Sequence, residues 1–322
     1  MRPGPFLLLP LALFARTATS RVIYDPAGPI VATAIPLNRD RPGPLRIGAL
    51  RFVQGWRLRS PNMAFGGLST MVADDAGRFT ALSDAGTVFR FRMGPAGIVG
   101  PSAINPLPGA GARKSLSDTE SMAVDPATGQ VWVGYEVRNG VRRFDPGLTR
   151  ITAGLAPAAM ADWSLVTGPE AMERLPDGRF VILSENSPAP GTDRAKQALL
   201  FSGDPTDPRS RVTRFAYRAP VQGYWPTDIR RLPDGRLLVL HRRLSVRDGF
   251  GAMLAVFDPR AIRAGVTITS REVARLRQPL AIDNMEALAI TREQGRTMIW
   301  IASDDNFWLF QQTLLLKFAL DA

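Results

Sequence analysis

Carboxylates recur at one place in a repeated sequence unit, where their spacing is suited to holding a cation. One set opens a short apolar segment in successive units and consists of Glu120, Glu170, Asp228 and Glu286. These residues are 50, 58 and 58 positions apart, and a second set that includes Glu185 and Asp304 closes the following apolar segment. Carboxylate oxygens are the hard ligands that calcium and magnesium prefer. The pattern therefore predicts that these six residues bind a divalent metal, with calcium as the expected ion.

Arg242 and His241 close the apolar segment of the fourth unit, where the other units carry an acid. A guanidinium at that position can bind an anionic substrate through charge-assisted hydrogen bonds, and Arg230 is an alternative for the same role. His241 is the only histidine of the chain, so it is a candidate general base or phosphate donor rather than part of a multi-histidine site. We predict Glu170, Arg242 and His241 as the catalytic residues.

A structural role remains the alternative for each of these carboxylates taken singly. An acid at the start of a strand can cap backbone N–H groups or pair with a nearby arginine, and arginines are frequent in these units. Four acids in the same phase of four units favour the functional interpretation. Like charges held together would repel each other unless a cation or a shared proton neutralised them.

The element that carries these residues is a pair of short apolar strands joined by a tight turn. In the third unit the turn is Pro176-Asp177-Gly178, a strong hairpin signal because glycine tolerates the positive φ that such turns need. Units of roughly 40–50 residues with four short strands are typical of propeller blades, and longer loops extend the period. First and second strands run antiparallel, so the start of one and the end of the other lie at the same mouth of the channel.

We therefore predict an all-β fold, a β-propeller with five repeats and five or six blades. Residues 50–58 alternate between apolar and polar types before the first repeat, and the last repeat has only one strand, at 314–318, after Asp304. The N-terminal strand is thus expected to pair with the last blade and close the ring. A sixth, degenerate blade built from residues 21–60 is the alternative.

Composition limits the class of protein and of partner. The 322 residues carry a formal net charge of +11, almost wholly from arginine, and contain no cysteine. The arginines are scattered rather than clustered, which argues against nucleic acid as a partner and leaves a mild attraction for small anionic substrates. We predict one domain over residues 21–322 and leave the oligomeric state open.

Residues 1–20 have the pattern of a secretory signal peptide. Arg2 gives the positive start, Phe6 to Phe14 an apolar run, and small residues follow up to Ser20. Nine apolar residues suit a signal core, and they are far fewer than the roughly 20 needed to span a membrane. The mature protein is therefore expected in the periplasm or outside the cell, without a membrane span.

Several motifs in order give the chain a family resemblance. They are Gly66-Gly67-Leu68-Ser69, Leu82-Ser83-Asp84, Asp118-Thr119-Glu120-Ser121-Met122-Ala123, Gly168-Pro169-Glu170-Ala171-Met172, Asn284-Met285-Glu286-Ala287-Leu288-Ala289 and Ala302-Ser303-Asp304-Asp305-Asn306-Phe307. With these motifs the chain resembles the phytase-like domain family of exported bacterial proteins with esterase-like activity of phytase. The resemblance implies a propeller that hydrolyses phosphoric or related esters.

Metal-assisted hydrolysis of a small anionic ester is therefore the predicted activity. Two alternatives remain open: a lactonase or carboxylester hydrolase of the gluconolactonase-like type, and a non-catalytic periplasmic binding or scaffold propeller. In this alignment of the units, Leu68 replaces the acid of the first repeat and Asp228 stands where sister repeats have Glu, so an asymmetric site is expected.

Overall fold

Five mainly antiparallel sheets arranged around a central channel make up the fold, which confirms the predicted propeller. The computed structural model describes residues 28–41, 43–111 and 117–321, and the predicted signal peptide at 1–20 lies outside them. Two short 3-10 helices, Ala158–Met160 and Pro259–Ala261, accompany the strands. Within the described ranges, no helix is long and apolar enough to cross a membrane.

The strands are numbered in chain order. The N-terminal ones are β1 (Val31–Ile35), β2 (Arg46–Ile47) and β3 (Leu50–Arg59). Blade one contains β4 (Leu68–Ala73), β5 (Arg78–Ser83), β6 (Thr87–Gly94), β7 (Gly97–Ile98) and β8 (Ala103–Pro106). Blade two contains β9 (Thr119–Val124), β10 (Val131–Tyr135), β11 (Gly140–Phe144) and β12 (Ile151–Leu155).

The remaining blades follow the same plan. Blade three contains β13 (Pro169–Arg174), β14 (Phe180–Pro188), β15 (Lys196–Phe201) and β16 (Val212–Arg218). Blade four contains β17 (Trp225–Arg231), β18 (Leu237–Ser245), β19 (Gly249–Phe257) and, after β20 (Thr267–Thr269), β21 (Arg271–Arg277); β20 itself joins blade three as a parallel edge strand. Blade five contains β22 (Asn284–Glu293), β23 (Arg296–Asp304) and β24 (Leu314–Leu320).

Blade five is completed by the N-terminal part of the chain. β3 pairs antiparallel with β24, from Leu50 opposite Leu320 to Arg57 opposite Leu314, and β1 pairs with the other side of β3. The described residues between 31 and 59 are thus outer strands of the fifth sheet. The alternative of a sixth blade built from residues 21–60 is therefore wrong for the part of the chain that the structure describes.

Apolar side chains fill the spaces between neighbouring blades. Five large clusters of buried residues each join two adjacent sheets, because both faces of a blade are covered by its neighbours. Between blades five and one, Trp300 stacks on Trp56 at a centroid distance of 5.8 Å and meets the edge of Phe79 at 5.0 Å. This packing fixes the inner strands β4, β9, β13, β17 and β22 around the channel.

Candidate functional site

A β-bulge at the same position of every inner strand defines the first ring of the site. In blade three, Pro169 pairs with Ser184 and Ala171 with Leu183, so Glu170 is the extra residue between them. The five bulged residues are Ser69, Glu120, Glu170, Thr227 and Glu286. Bulges re-aim a side chain and recur near functional sites. Three of the five positions are glutamates, and these lie close enough to influence one another's pKa values.

When the repeats are aligned by sequence, the units of blades one and four are shifted by one residue relative to the structure. The bulge in blade one falls on Ser69 rather than Leu68, and the bulge in blade four falls on Thr227 rather than Asp228. Both hydroxyls donate hydrogen bonds to the next blade, Ser69 to the Thr119 carbonyl at 2.7 Å and Thr227 to the Met285 carbonyl at 3.3 Å. These two positions therefore join blades instead of adding charge to the ring.

Asp228 lies in the wall of the channel, where protein groups bind both of its oxygens. Arg230 Nη1 is 2.7 Å from Oδ1, which also accepts the backbone N–H of Ile229 at 2.8 Å. Oδ2 accepts the backbone N–H of Leu288 at 2.9 Å and the Thr70 hydroxyl at 3.2 Å. The prediction that Asp228 shares a phase with the three glutamates is thus wrong, and its contacts are those of a structural ion pair.

A second ring comes from residues at or near the end of the second strand of each blade, next to the bulges. It consists of Asp84, Glu136, Glu185, Arg242 and Asp304, and Asp118 lies beside Glu136 because the Glu136 N–H donates to the Asp118 carbonyl at 3.0 Å. We call the seven carboxylates of the two rings, together with Asp118, the acidic collar: Asp84, Asp118, Glu120, Glu136, Glu170, Glu185, Glu286 and Asp304. Of the sequence-predicted ligands, all but Asp228 belong to it.

Burial and mutual repulsion raise the pKa values of four collar carboxylates, Glu120, Glu170, Glu286 and Asp304. Desolvation is the largest cause for Glu120, Glu170 and Asp304, whose pKa values lie well above the usual carboxyl range, and neighbouring carboxylates add to it. Burial also raises the pKa of Glu286 to about 7, against the opposing effect of Arg242. At neutral pH the collar without a cation therefore holds protons, which a bound cation would displace.

Arg242 is the cation of the second ring. Its Nη2 lies 2.6 Å from Glu185 Oε1, its Nη1 lies 3.0 Å from Glu286 Oε1, and Nη1 also donates to Asn284 at 3.1 Å. Burial alone would lower its pKa, but Glu286, Glu185 and Glu170 raise it above the usual arginine value. The side chain is still 32% exposed, so a substrate at the mouth can reach a guanidinium that stays charged.

His241 does not lie at the mouth, contrary to expectation. It is fully buried and stacks on Tyr217, whose hydroxyl is 2.8 Å from Nε2, while Nδ1 is 3.2 Å from the Met253 carbonyl. Burial lowers its pKa to about 4, so the ring is neutral at physiological pH. Consecutive residues of a strand point to opposite faces of the sheet. Because Arg242 points to the mouth, His241 packs against the neighbouring blade, where it contacts Tyr217.

One part of the collar has the geometry of a cation site. Ligand oxygens of Asp118, Glu120 and Glu136 all lie within 4.8 Å of one another. Three carboxylate oxygens of this kind can hold a hard divalent cation. Glu120 was predicted as a ligand, whereas Asp118 and Glu136 were not. Asp118 could have been found from the sequence, because it lies two residues before Glu120.

A close backbone approach explains the glycine pair of the first motif. Gly67 has φ of +65°, and a Cβ added there would lie 2.5 Å from Asp84 Oδ1. Its N–H donates to Asp305 Oδ1 at 2.9 Å. Blade one therefore brings bare backbone to the collar where other blades bring side chains, and only glycine combines this φ with the available space.

The family model for phytase-like proteins, described as esterase-like activity of phytase, matches residues 63–307. The chain belongs to this phytase-like family. The matched range contains all five inner strands and the whole acidic collar of this phytase-like propeller. No curated protein sequence matches it significantly.

Two solved structures are similar to this chain at low sequence identity. A protein of unknown function from Dyadobacter fermentans is 13% identical with a TM-score of 0.45, and the match covers 94% of this chain and 97% of that one. The endosialidase of phage phi92 is 10% identical with a TM-score of 0.41, covering 91% of this chain and 58% of that one. Neither similarity bears on activity.

Proposed function

We propose that the protein is an exported hydrolase of phosphoric or related esters that acts at the acidic collar with the help of a divalent cation, which we expect to be calcium. Family membership supports the reaction class. The observation that carries the proposal is the juxtaposition, at one mouth, of a carboxylate triad that can hold a cation and a partly exposed arginine. The substrate is a small anionic ester, and nucleic acid is not a partner.

The two halves of the collar have different tasks in this proposal. Asp118, Glu120 and Glu136 hold the cation, because Glu185 and Glu286 are already paired with Arg242. Asp304 remains as a further oxygen ligand of the same collar. A bound divalent cation would polarise the ester oxygen and lower the pKa of water. It would also cancel the negative charge that otherwise repels an anionic ester.

Arg242 and Glu170 act on the substrate itself. The guanidinium of Arg242 binds the ester anion through its exposed edge, and Glu185 and Glu286 hold it in that orientation. Glu170 lies near Glu185, Glu136 and Arg242, and burial raises its pKa. A carboxyl group whose pKa is raised by burial can give or take a proton during hydrolysis, and we assign this role of catalytic acid–base to Glu170.

A substrate screen tests the reaction class. Phosphomonoesters, phytate, carboxylic esters and lactones are offered to the purified protein with calcium, and again with a chelator. We expect phosphoester hydrolysis that needs calcium, because the bare collar repels anions. Hydrolysis of lactones or carboxylic esters alone would replace the proposed substrate class, and no hydrolysis of any class would favour the binding propeller.

Calcium should stabilise the fold more at pH 8 than at pH 5. The raised pKa values of Glu120, Glu170, Glu286 and Asp304 mean that the folded apo collar binds more protons than the unfolded chain above about pH 4.5. The stability of the apo protein therefore falls as pH rises through this range, while calcium binds best once the protons have left.

Differential scanning calorimetry at the two pH values, with calcium and with chelator, measures this linkage. Glu120→Gln should reduce the calcium-dependent increase in Tm, since it removes a charge from the triad. A calcium effect on Tm that is equal at pH 5 and pH 8 would show that the collar does not bind the ion through these carboxylates.

A further inference from the structure

The channel ends, opposite the acidic collar, in a cavity of about 930 Å³. Final residues of the inner strands line it, among them Val72 of β4, Val124 of β9 and Arg231 of β17. The cavity extends between blades one and two along β5 and β6. Its volume falls within the range of small-molecule sites, which is roughly 300–1,000 Å³.

The charge of this cavity is the reverse of that of the collar. Six arginines and two carboxylates line it: Arg78, Arg90, Arg92, Arg174, Arg230 and Arg231, with Asp74 and Glu173. Three of the arginines have carboxylate partners, Arg78 with Asp74, Arg174 with Asp125 and Arg230 with Asp228. Arg90 and Arg92 form no ion pair with any residue that the structure describes, whereas Arg231 acts on Glu173, whose pKa burial raises and the charges of Arg230 and Arg231 lower.

Arg90 is the most informative of these unpaired cations. It is half-buried, and desolvation lowers its pKa. Its Nη2 donates to the Gly147 carbonyl at 2.7 Å, which orients the guanidinium but supplies no countercharge. In the pairing of β5 with β6, Thr80 lies opposite Arg90 and Arg78 lies opposite Arg92. Arg78, Arg90 and Arg92 therefore share one face of blade one, where like charges repel each other. A half-buried cation without a countercharge is unfavourable, so an anion would complete this surface.

Apolar side chains form the rest of the lining. Val72, Val124 and Ile290 are half-buried there and expose part of their surface to the cavity. An inorganic anion would leave this surface in water, whereas an organic one can cover it.

We propose that the cavity binds an amphipathic organic anion, whose charged group pairs with Arg90 and whose apolar body lies against Val72, Val124 and Ile290. This site is separate from the acidic collar and needs none of its residues.

Calorimetric titration of the full chain with naphthalene-2-sulfonate tests the proposal, with uncharged 2-naphthalenemethanol as the matched probe. We expect saturable binding of the sulfonate that weakens with added salt, and much weaker binding of the alcohol. Arg90→Gln should raise Kd about tenfold, the effect of losing one charge-assisted hydrogen bond, and Arg90→Lys, which keeps the charge, should raise it less. Arg236→Gln, an arginine outside the cavity, should leave Kd unchanged.

Unaltered Tm values show that a variant has folded, and Arg90→Met serves if Arg90→Gln does not fold. Absence of saturable sulfonate binding, or a Kd that removal of the Arg90 charge does not change, would overturn the proposal. Because the probe is not an ester and the readout is binding, this result is independent of whether the collar hydrolyses anything.

Discussion

Glu170→Gln should abolish hydrolysis while the propeller stays folded. The glutamate is the bulged residue of β13, only 7% exposed, and it lies among Glu185, Glu136 and Arg242. Glutamine keeps its shape but can neither take up the proton nor contribute negative charge to a cation. Loss of a positioned acid–base costs at least about 100-fold in rate. We therefore expect kcat for the best ester of the screen to fall by about that factor or more.

The matched control is Glu293→Gln, the same change at the far end of an inner strand. Glu293 pairs with Lys317 at 2.6 Å, away from the collar, so its replacement should leave kcat and KM unchanged. Thermal unfolding of both variants separates loss of chemistry from loss of fold. Full activity of Glu170→Gln would remove Glu170 from the mechanism and with it the proposed division of the collar.

The repeat period was sufficient to predict the blades, because it reflects the strand pairing that every blade needs. The turns at Asp177-Gly178 and Asp234-Gly235 separate inner from second strands as expected, with φ of +86° at Gly178 and +87° at Gly235. Arg242, Glu185 and Asp304 also lie at one mouth, since antiparallel pairing places this part of each second strand beside the start of an inner strand.

The residue that occupies the bulge of each inner strand could not be predicted in the same way. A bulge adds one residue without changing the apolar segments on either side, so the sequence fits either Asp228 or Thr227 at the bulge. The orientation of His241, by contrast, can be predicted from the sequence. Consecutive residues of a strand point to opposite faces, so His241 and Arg242 cannot both face the mouth.

Asp228→Ala should destabilise the protein strongly and leave the calcium response intact. Asp228 is fully buried and the Arg230 side chain is only 8% exposed. The pair joins several inner strands, because Arg230 donates to the Met71 carbonyl of blade one and Asp228 accepts the Leu288 N–H of blade five. Removing one partner of a buried ion pair leaves an uncompensated charge, which costs about 3–5 kcal/mol.

Asp234→Ala is the control that isolates burial. Asp234 pairs with Arg236 at the same two-residue spacing and in the same blade, but their side chains are 48% and 42% exposed. Exposed pairs contribute about 1 kcal/mol or less, so urea denaturation should show a much smaller loss of stability for this variant. The double variant Asp228→Ala/Arg230→Met removes both buried charges and should recover part of the stability. If Asp228→Ala instead kept its stability and lost the calcium-dependent increase in Tm, Asp228 would be a cation ligand. The register of the bulge would then not determine which residues bind the cation.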